Sequence, residues 1–205
     1  MSKRTHSKEP KLKRRRPFRE VKETFLIFCE GENTEPYYFN AFKLKTATIK
    51  PISIRNNNAR LFVKDAIKQK ERLVNFDNYW IVFDKDNNTN ANFNAAITEA
   101  ESNGFKVAYS NVSFEYWYLC HFTHTSACLK QNDLETTLSK HLKQKYSKDV
   151  KFAAKLYELL FDKQATAVIN AERIIKQVAA NTNPALACSS TTVHLLVKEL
   201  NKHLD

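Results

Sequence analysis

Hydrophobic residues in the first half of the chain form short continuous runs, each of strand length and each bounded by polar loop residues. Such runs are typical of strands that are buried on both faces of a parallel sheet. We predict four strands, over residues 24–29, 48–55, 79–83 and 105–109. Pro51 lies inside the second run, and because proline cannot donate a ladder hydrogen bond, that strand is expected at an edge.

Between these strands, apolar residues recur at helical spacing, and strands that alternate with helices predict a parallel sheet covered by helices. The first helix has an aromatic face, and we expect Thr34 to be its N-cap and Pro36 to lie in its first turn. After Asn111 the pattern is helical only. The predicted helices cover residues 34–42, 61–73, 91–102, 114–122, 134–142, 150–161, 165–180 and 192–204.

Length and composition limit the class of protein. A chain of 205 residues that is 42% hydrophobic can bury one sizeable core. No apolar run approaches the roughly 20 residues of a membrane span, and the N-terminus lacks the apolar segment of a signal peptide. We therefore expect a cytoplasmic protein that does not associate with a membrane. The four cysteines are scattered, mostly within apolar patterns, and we expect all of them to be buried thiols.

The two glycines, Gly31 and Gly104, are too few for a glycine-rich dinucleotide turn or a P-loop. A Rossmann dehydrogenase and a Walker-type ATPase are therefore excluded. Any phosphate chemistry in this chain has to depend on side chains and metal ions, because the backbone cradle of those folds is missing.

The net charge of +11 is concentrated at the N-terminus, where nine Lys/Arg in the first 20 residues face only Glu9 and Glu20. Residues 1–20 are predicted to be a flexible basic tail, since they cannot bury enough surface to order. Nucleic acid is the natural partner of such a tail, although a solubilising segment or a localisation signal has the same composition. The candidate nucleic-acid-binding residues of the tail are Lys11, Lys13, Arg14, Arg15 and Arg16.

Acidic residues follow two of the predicted strands, with Glu30 after the first and Asp84 and Asp86 after the third. Ligands of parallel α/β sheets bind outside the carboxyl ends of the strands, so these carboxylates are expected to converge. Mg²⁺ or Mn²⁺ bound by such oxygens can activate water and stabilise charge in phosphodiester cleavage. An ordinary strand-to-helix loop has the same composition as residues 84–90, and that alternative stays open.

Further polar residues lie next to this predicted edge. Glu115 follows the fourth strand and is a fourth catalytic candidate, although a glutamate at a helix start also stabilises the helix dipole. Glu35 and His121 are possible auxiliary groups, and Lys85 is a candidate phosphate contact. A zinc site is a weaker alternative because its spacing lacks paired ligands; it would use Cys120, His121, His124 and Cys128.

Four segments together resemble the RloB family of phage-defence proteins. The resemblance covers nearly the whole chain after the basic tail, and the ordered set is more specific than any one segment. The segments are Leu26–Phe39 (LIFCEGENTEPYYF), Val82–Asp86 (VFDKD), Ser110–Phe122 (SNVSFEYWYLCHF) and Ser190–Val197 (STTVHLLV).

This resemblance implies a Rossmann-like Toprim domain, spanning residues 21–112, with a helical C-terminal region, residues 113–205, packed on it. In Toprim proteins a glutamate after the first strand and an Asp-x-Asp after the third bind Mg²⁺. Glu30 would be a metal ligand or the proton-transfer group, and Asp84 and Asp86 would hold the cation. The implied sheet has about four, mainly parallel, strands.

The implied activity is that of a Mg²⁺-dependent nuclease that cleaves RNA, such as tRNA, or DNA during abortive infection. Related systems pair the nuclease with an ABC-type or AAA-type ATPase, which would be a separate protein here. Self-association into a homo-oligomer is also compatible with the helical surface.

Two alternatives to a nuclease remain open on the sequence. One is a non-catalytic adaptor that binds nucleic acid. The other is a haloacid-dehalogenase-like phosphatase with Asp84 as nucleophile and Asp86 as acid, although Asn88 stands where that family has Thr or Val.

Overall fold

The protein was examined as a computed structural model that describes residues 22–178 and 183–204. Across these residues the sheet has five strands in the order β2-β1-β3-β4-β5. The first four strands are parallel and β5 is antiparallel to β4. The strands are β1 (Glu23–Cys29), β2 (Ala47–Ser53), β3 (Asn78–Asp84), β4 (Lys106–Asn111) and β5 (Ser190–Thr191).

The α/β class, the parallel pairing and the edge position of β2 are confirmed, and the arrangement is consistent with a Rossmann-like fold. The predicted strand count of about four is corrected to five. The missed strand, β5, has two residues, which is too short to show an alternating or continuous apolar pattern. Its Ser190 and Thr191, which directly precede the last predicted helix, pair with Asn111 and Ser110.

Helices fill the connections between strands and most of the chain after β4. Asn58, Thr89 and Asp149 cap three of them by accepting backbone N–H hydrogen bonds. The helices are α1 (Thr34–Asn40), α2 (Ala59–Arg72), α3 (Asn90–Ser102), α4 (Glu115–Cys120), α5 (Gln131–Leu142), α6 (Val150–Leu160), α7 (Gln164–Gln177) and α8 (Val193–Asn201). Short 3₁₀ turns cover Phe161–Lys163 and Pro184–Leu186.

Thr34 is not the N-cap of α1. It is the first helical residue, and Asn33 precedes the helix in its place. The predicted seventh helix also ends earlier than expected, at Gln177, and its predicted last residues, 179–180, lie outside the described residues. The predicted basic tail, residues 1–20, lies outside them as well.

Two hydrophobic cores lie on opposite faces of the sheet, because successive residues of β1 point to opposite sides. Leu26 and Phe28 pack against α2 and α3. Phe25, Ile27 and Cys29 face α1 and the helices that follow β4. Residues after 112 therefore share one core with β1 and α1. No helix in the described ranges has the length and apolarity needed to cross a membrane.

The cysteines differ from the prediction. Cys29 and Cys120 are buried thiols, as expected, but Cys128 and Cys188 form a disulfide with their Cα atoms 5.1 Å apart. Cys128 lies in an exposed loop before α5, and its partner is 60 residues away along the chain, so local pattern could not reveal the pairing. The disulfide also includes Cys128, which was one of the four ligands of the alternative zinc site.

The order in which strands are added to the sheet changes side after β2. The chain leaves β1 to form β2 on one side, and then crosses to form β3 on the other side. Such a switch point opens a crevice at the carboxyl ends of the two central strands, where α/β proteins bind ligands. Glu30 follows β1 and Asp84 ends β3, so both carboxylates lie at this crevice.

Candidate active site

A cavity of about 550 Å³ occupies the crevice. It brings together all five acidic candidates from the sequence, although they come from three separate segments of the chain. Amide side chains and two cationic side chains complete the walls. The lining residues are Glu30, Gly31, Glu32, Asn33, Thr34, Glu35, Arg55, Asn56, Asn57, Asp84, Asp86, Asn87, Asn88, Phe114, Glu115, Gln131 and Lys148.

Asp84 and Glu30 are linked at the centre of this cavity. Glu30 Oε2 accepts a hydrogen bond of 3.1 Å from the Asp84 backbone N–H. Asp84 Oδ2 accepts one of 3.0 Å from the Phe114 N–H, which ties β3 to the segment before α4. Asp84 Oδ1 is buried and has no hydrogen-bond partner among the described residues. A buried polar atom without a protein partner is costly, so a water or a cation bound at this oxygen would be stabilising.

The two carboxyls have raised pKa values. Burial raises the pKa of Asp84 well above its ordinary value, and the negative charges of Glu35, Asp86, Glu115 and Glu30 add to the increase. Burial also raises the pKa of Glu30 to about 7, against the opposing effect of the Asp84 N–H. Like charges held together favour protonation or a bound cation. The cavity is therefore a place where positive charge is stabilised.

Asp86 is held at the rim by extension of the sheet past β3. The Lys85 N–H donates to Ser110 O at 2.8 Å, and the Asp86 N–H donates to Val112 O at 2.9 Å. Asp86 has a φ of 37°, in the left-handed region that aspartate adopts more readily than most residues. Burial is the main cause of its raised pKa.

The loop that carries Asp86 is also a structural strand-to-helix connection, as the sequence allowed. Asn88 Oδ1 accepts from the Ala59 N–H at 3.0 Å and from Asn92 Nδ2 at 2.9 Å, so it joins the starts of α2 and α3. The Lys85 ammonium donates to the Asn88 carbonyl and is not among the residues that line the cavity. The loop can therefore be both a structural connection and part of an acidic site, because Asn88 makes the structural hydrogen bonds and Asp84 and Asp86 supply the carboxylates.

Glu35 lies beneath Gly31 and is 5% exposed. A Cβ atom at position 31 would lie 2.1 Å from Glu35 Oε2, so glycine is required for this packing. Burial raises the pKa of Glu35 to about 7, opposed by its own backbone N–H, while Glu115 raises this pKa and Lys148 lowers it. Glu35 thus belongs to the same set of interacting charges as Asp84.

Lys148 is the site residue that sequence reasoning missed. Its Nζ lies 3.0 Å from Glu115 Oε1 and 3.4 Å from Glu135 Oε1. The Tyr146 hydroxyl donates to the same Glu115 oxygen at 2.8 Å. Burial would raise the pKa of Glu115, but the charge of Lys148 and the hydrogen bond of Tyr146 oppose it, and this pKa lies below its ordinary value. Nothing local distinguishes Lys148 among the 33 Lys and Arg residues of the chain.

Replacing Lys148 with methionine should destabilise the protein by about 1 kcal/mol at pH 7, since Lys148 is half-exposed and screened by solvent. In the wild type, the lowered pKa of Glu115 contributes stability that is present above its unfolded pKa and is lost as pH falls through the folded pKa. Without Lys148, burial raises that pKa instead. The difference between the proteins should therefore shrink as pH falls from 7 to 4, as measured by urea unfolding.

Lys145→Met is the matched control, because Lys145 is an exposed lysine in the same loop, outside the cavity. It should leave stability unchanged at both pH values. An equal loss for Lys148→Met at pH 7 and pH 4 would show that the ion pair with Glu115 is not its cause.

His121 is not brought to the cavity. It is 2% exposed, packs edge-on against Trp117, and its Nδ1 lies 3.1 Å from the Trp117 carbonyl oxygen. Burial lowers its pKa to about 4, which keeps the ring neutral at pH 7. The structure thus separates His121 from the acidic candidates.

The acidic residues fit a hard divalent cation in chemistry, but they do not form a complete cage. Across residues 22–178 and 183–204, no group of three or more His, Cys, Asp or Glu side chains is arranged to hold a metal ion. Mg²⁺ commonly binds through one or two carboxylates and keeps several waters. Asp84, whose buried Oδ1 has no partner among the described residues, fits that pattern with either Asp86 or Glu30 as a second carboxylate.

A comparison with protein families agrees with the resemblance found in the sequence. A family model described as RloB-like protein matches residues 25–200, which span the sheet, the cavity and the helices after β4. A search of curated proteins and a search of solved structures returned no match.

Proposed function

Since the chain belongs to the RloB-like family, and six carboxylates line one cavity at the switch point of its sheet, we propose that it is a Mg²⁺-dependent Toprim-type nuclease. The proposed reaction is hydrolysis of phosphodiester bonds in RNA, such as tRNA, or in DNA. The proposed site consists of Glu30, Asp84, Asp86 and Glu115.

The observation that carries this proposal is the environment of Asp84. One of its oxygens is held by the Phe114 N–H, and the other is buried without a partner among the described residues. Burial is the main cause of the raised pKa values of Asp84, Glu30 and Asp86, and neighbouring carboxylates add repulsion to it. A bound cation relieves that repulsion, as does protonation, and raised carboxyl pKa values at a cleft favour a functional site.

The proposed roles follow from position. Asp84 and Asp86 would hold Mg²⁺, which when bound lowers the pKa of water and stabilises charge on the phosphate. Glu30 would be either a further ligand or the group that takes the proton from the attacking water. Glu115, kept ionised by Lys148 and Tyr146, adds fixed negative charge beside them.

The biological setting is proposed from the family resemblance. We place the nuclease in the cytoplasm, as the toxic effector of an anti-phage abortive-infection system. A separately encoded ABC-type or AAA-type ATPase would control it, because this chain has too few glycines for a P-loop. The basic tail would add sequence-independent affinity for nucleic acid.

The proposal is tested by incubating the purified full chain with total tRNA, single-stranded DNA and duplex DNA, each with Mg²⁺, Mn²⁺ or EDTA. Cleavage that requires the metal is expected for at least one substrate, and the substrate cleaved identifies the class. The assay is repeated with the candidate ATPase, because an effector under control can be silent alone. Binding without cleavage under all of these conditions would contradict the nuclease and support the adaptor.

A further inference from the structure

Arg55 lies at the same sheet edge as the proposed site, two residues beyond the end of β2. Because β2 pairs with β1 in parallel, Ser53 lies opposite Cys29, and the Ile54 N–H donates to Cys29 O. Ser53 Oγ also donates to Gly31 O at 2.8 Å. These contacts hold the start of the β2–α2 loop against the segment that carries Glu30, and Arg55 lines the same cavity.

The Arg55 guanidinium is available to a ligand. Its nearest ion pair in the described part of the chain is with Glu32, at 3.7 Å, and the two side chains are 77% and 56% exposed. Such surface pairs contribute little and are readily exchanged. The other cationic side chain that lines the cavity, Lys148, is in contact with two glutamates. Arg55 is therefore the cavity cation that can be redirected to a phosphate.

The surroundings of Arg55 also favour an anion. The loop after it leads directly into α2, whose N-terminus carries positive partial charge. Asn56 and Asn57 line the cavity between Arg55 and that helix. Apart from Glu32, the exchangeable partner of Arg55, the carboxylates of the cavity follow β1 and β3 or begin α4. The cavity thus has an acidic end that suits a cation and a more positive end that suits a phosphate.

We propose that Arg55 binds the phosphate next to the one that is hydrolysed, so that a nucleic-acid strand runs across the sheet edge from β3, over β1, to β2. This inference rests on the proposed function, because it places the attacked phosphate at Asp84. Neighbouring strands are about 4.8 Å apart, so the edge from β3 to β2 spans about 10 Å, which accommodates more than one phosphate. Arg55 is a substrate-positioning residue in this arrangement, and the preferred substrate is a polynucleotide.

The test measures binding of a fluorescent single-stranded oligonucleotide to the full chain, with Ca²⁺ in place of Mg²⁺, over a range of salt concentrations. Arg55→Ala is expected to weaken binding by about threefold to tenfold and to reduce the slope of log K against log salt by about 0.7, the value for one phosphate on a single strand. Arg55→Lys should keep the slope. Arg72→Ala, an exposed arginine at the far end of α2, should behave as wild type.

Hydrolysis of two substrates separates this inference from the proposed function. Bis-p-nitrophenyl phosphate is a phosphodiester without a neighbouring phosphate, so Arg55→Ala should raise KM for the oligonucleotide by a larger factor than KM for this small substrate. If the wild type cleaves nucleic acid and Arg55→Ala has the same salt slope as the wild type, the role of Arg55 is overturned and the proposed nuclease stands. A lower slope in a protein that cleaves neither substrate, alone or with the candidate ATPase, would overturn hydrolysis and leave Arg55 as a phosphate-binding residue.

Discussion

Asp84→Asn is expected to reduce kcat/KM for nucleic-acid cleavage by about 1000-fold or more, equivalent to about 4 kcal/mol of activation free energy. Asp84 is the carboxylate with an unpartnered buried oxygen, and it lies between Glu30 and the segment before α4. An amide has no negative charge with which to hold a cation. Single-turnover cleavage in Mg²⁺, compared with the wild type, is the measurement.

The same substitution should leave the fold intact. The asparagine oxygen can accept the Phe114 N–H bond, and removal of one negative charge relieves repulsion from Glu35 and Glu30. Thermal stability should therefore equal or exceed that of the wild type. Asp162→Asn, at an exposed aspartate outside the cavity, is the matched control and should retain full activity. If Asp84→Asn cleaved as fast as this control, Asp84 would have no place in the site.

Gly31→Ala is expected to destabilise the protein by about 1–3 kcal/mol, the usual range for overpacking a buried site. The new Cβ would lie 2.1 Å from Glu35 Oε2 and 2.8 Å from Glu35 Cδ. Glu35 is 5% exposed and lies among other charged groups, so its side chain must shift within a crowded part of the cavity to make room for the Cβ. For a chain of this length the expected fall in Tm is about 2–4 °C per kcal/mol, which calorimetry can resolve.

A double-mutant cycle shows whether Glu35 causes that loss. Gly31→Ala combined with Glu35→Ala should be more stable than the sum of the single effects predicts, by about 1 kcal/mol or more, because the clash is removed. Additive losses would mean that the backbone at position 31, and not Glu35, limits the substitution. Cleavage by Gly31→Ala should also fall, since Glu30 is the neighbouring residue.

The central strands and their acidic ends were predictable from the sequence because both signals are local. A continuous apolar run marks a strand buried on two faces, and β1 and β3 are such runs. Glu30 and Asp84 follow them directly, so topology alone brings both to one edge. Pro51 marked β2 as an edge strand for an equally local reason, its missing N–H.

The errors arose where a feature depends on residues distant along the chain. β5 has only two residues and exists through its pairing with β4. Cys128 and Cys188 are 60 residues apart, and each is unremarkable in its own segment. Lys148 lies 33 positions after Glu115, yet the two side chains are 3.0 Å apart. No periodicity or spacing encodes such contacts.

The amino-acid sequence alone thus specified a parallel α/β sheet, because continuous apolar runs alternate with helical segments. It also specified the acidic edge, because Glu30, Asp84 and Asp86 directly follow two of those runs. Tertiary packing decided how the groups at that edge behave. Within the described residues it left Asp84 Oδ1 without a partner, paired Glu115 with Lys148, set Arg55 in the cavity wall and buried His121. Charge interactions and desolvation act over distances of a few ångströms in space, and only the folded chain brings these residues that close.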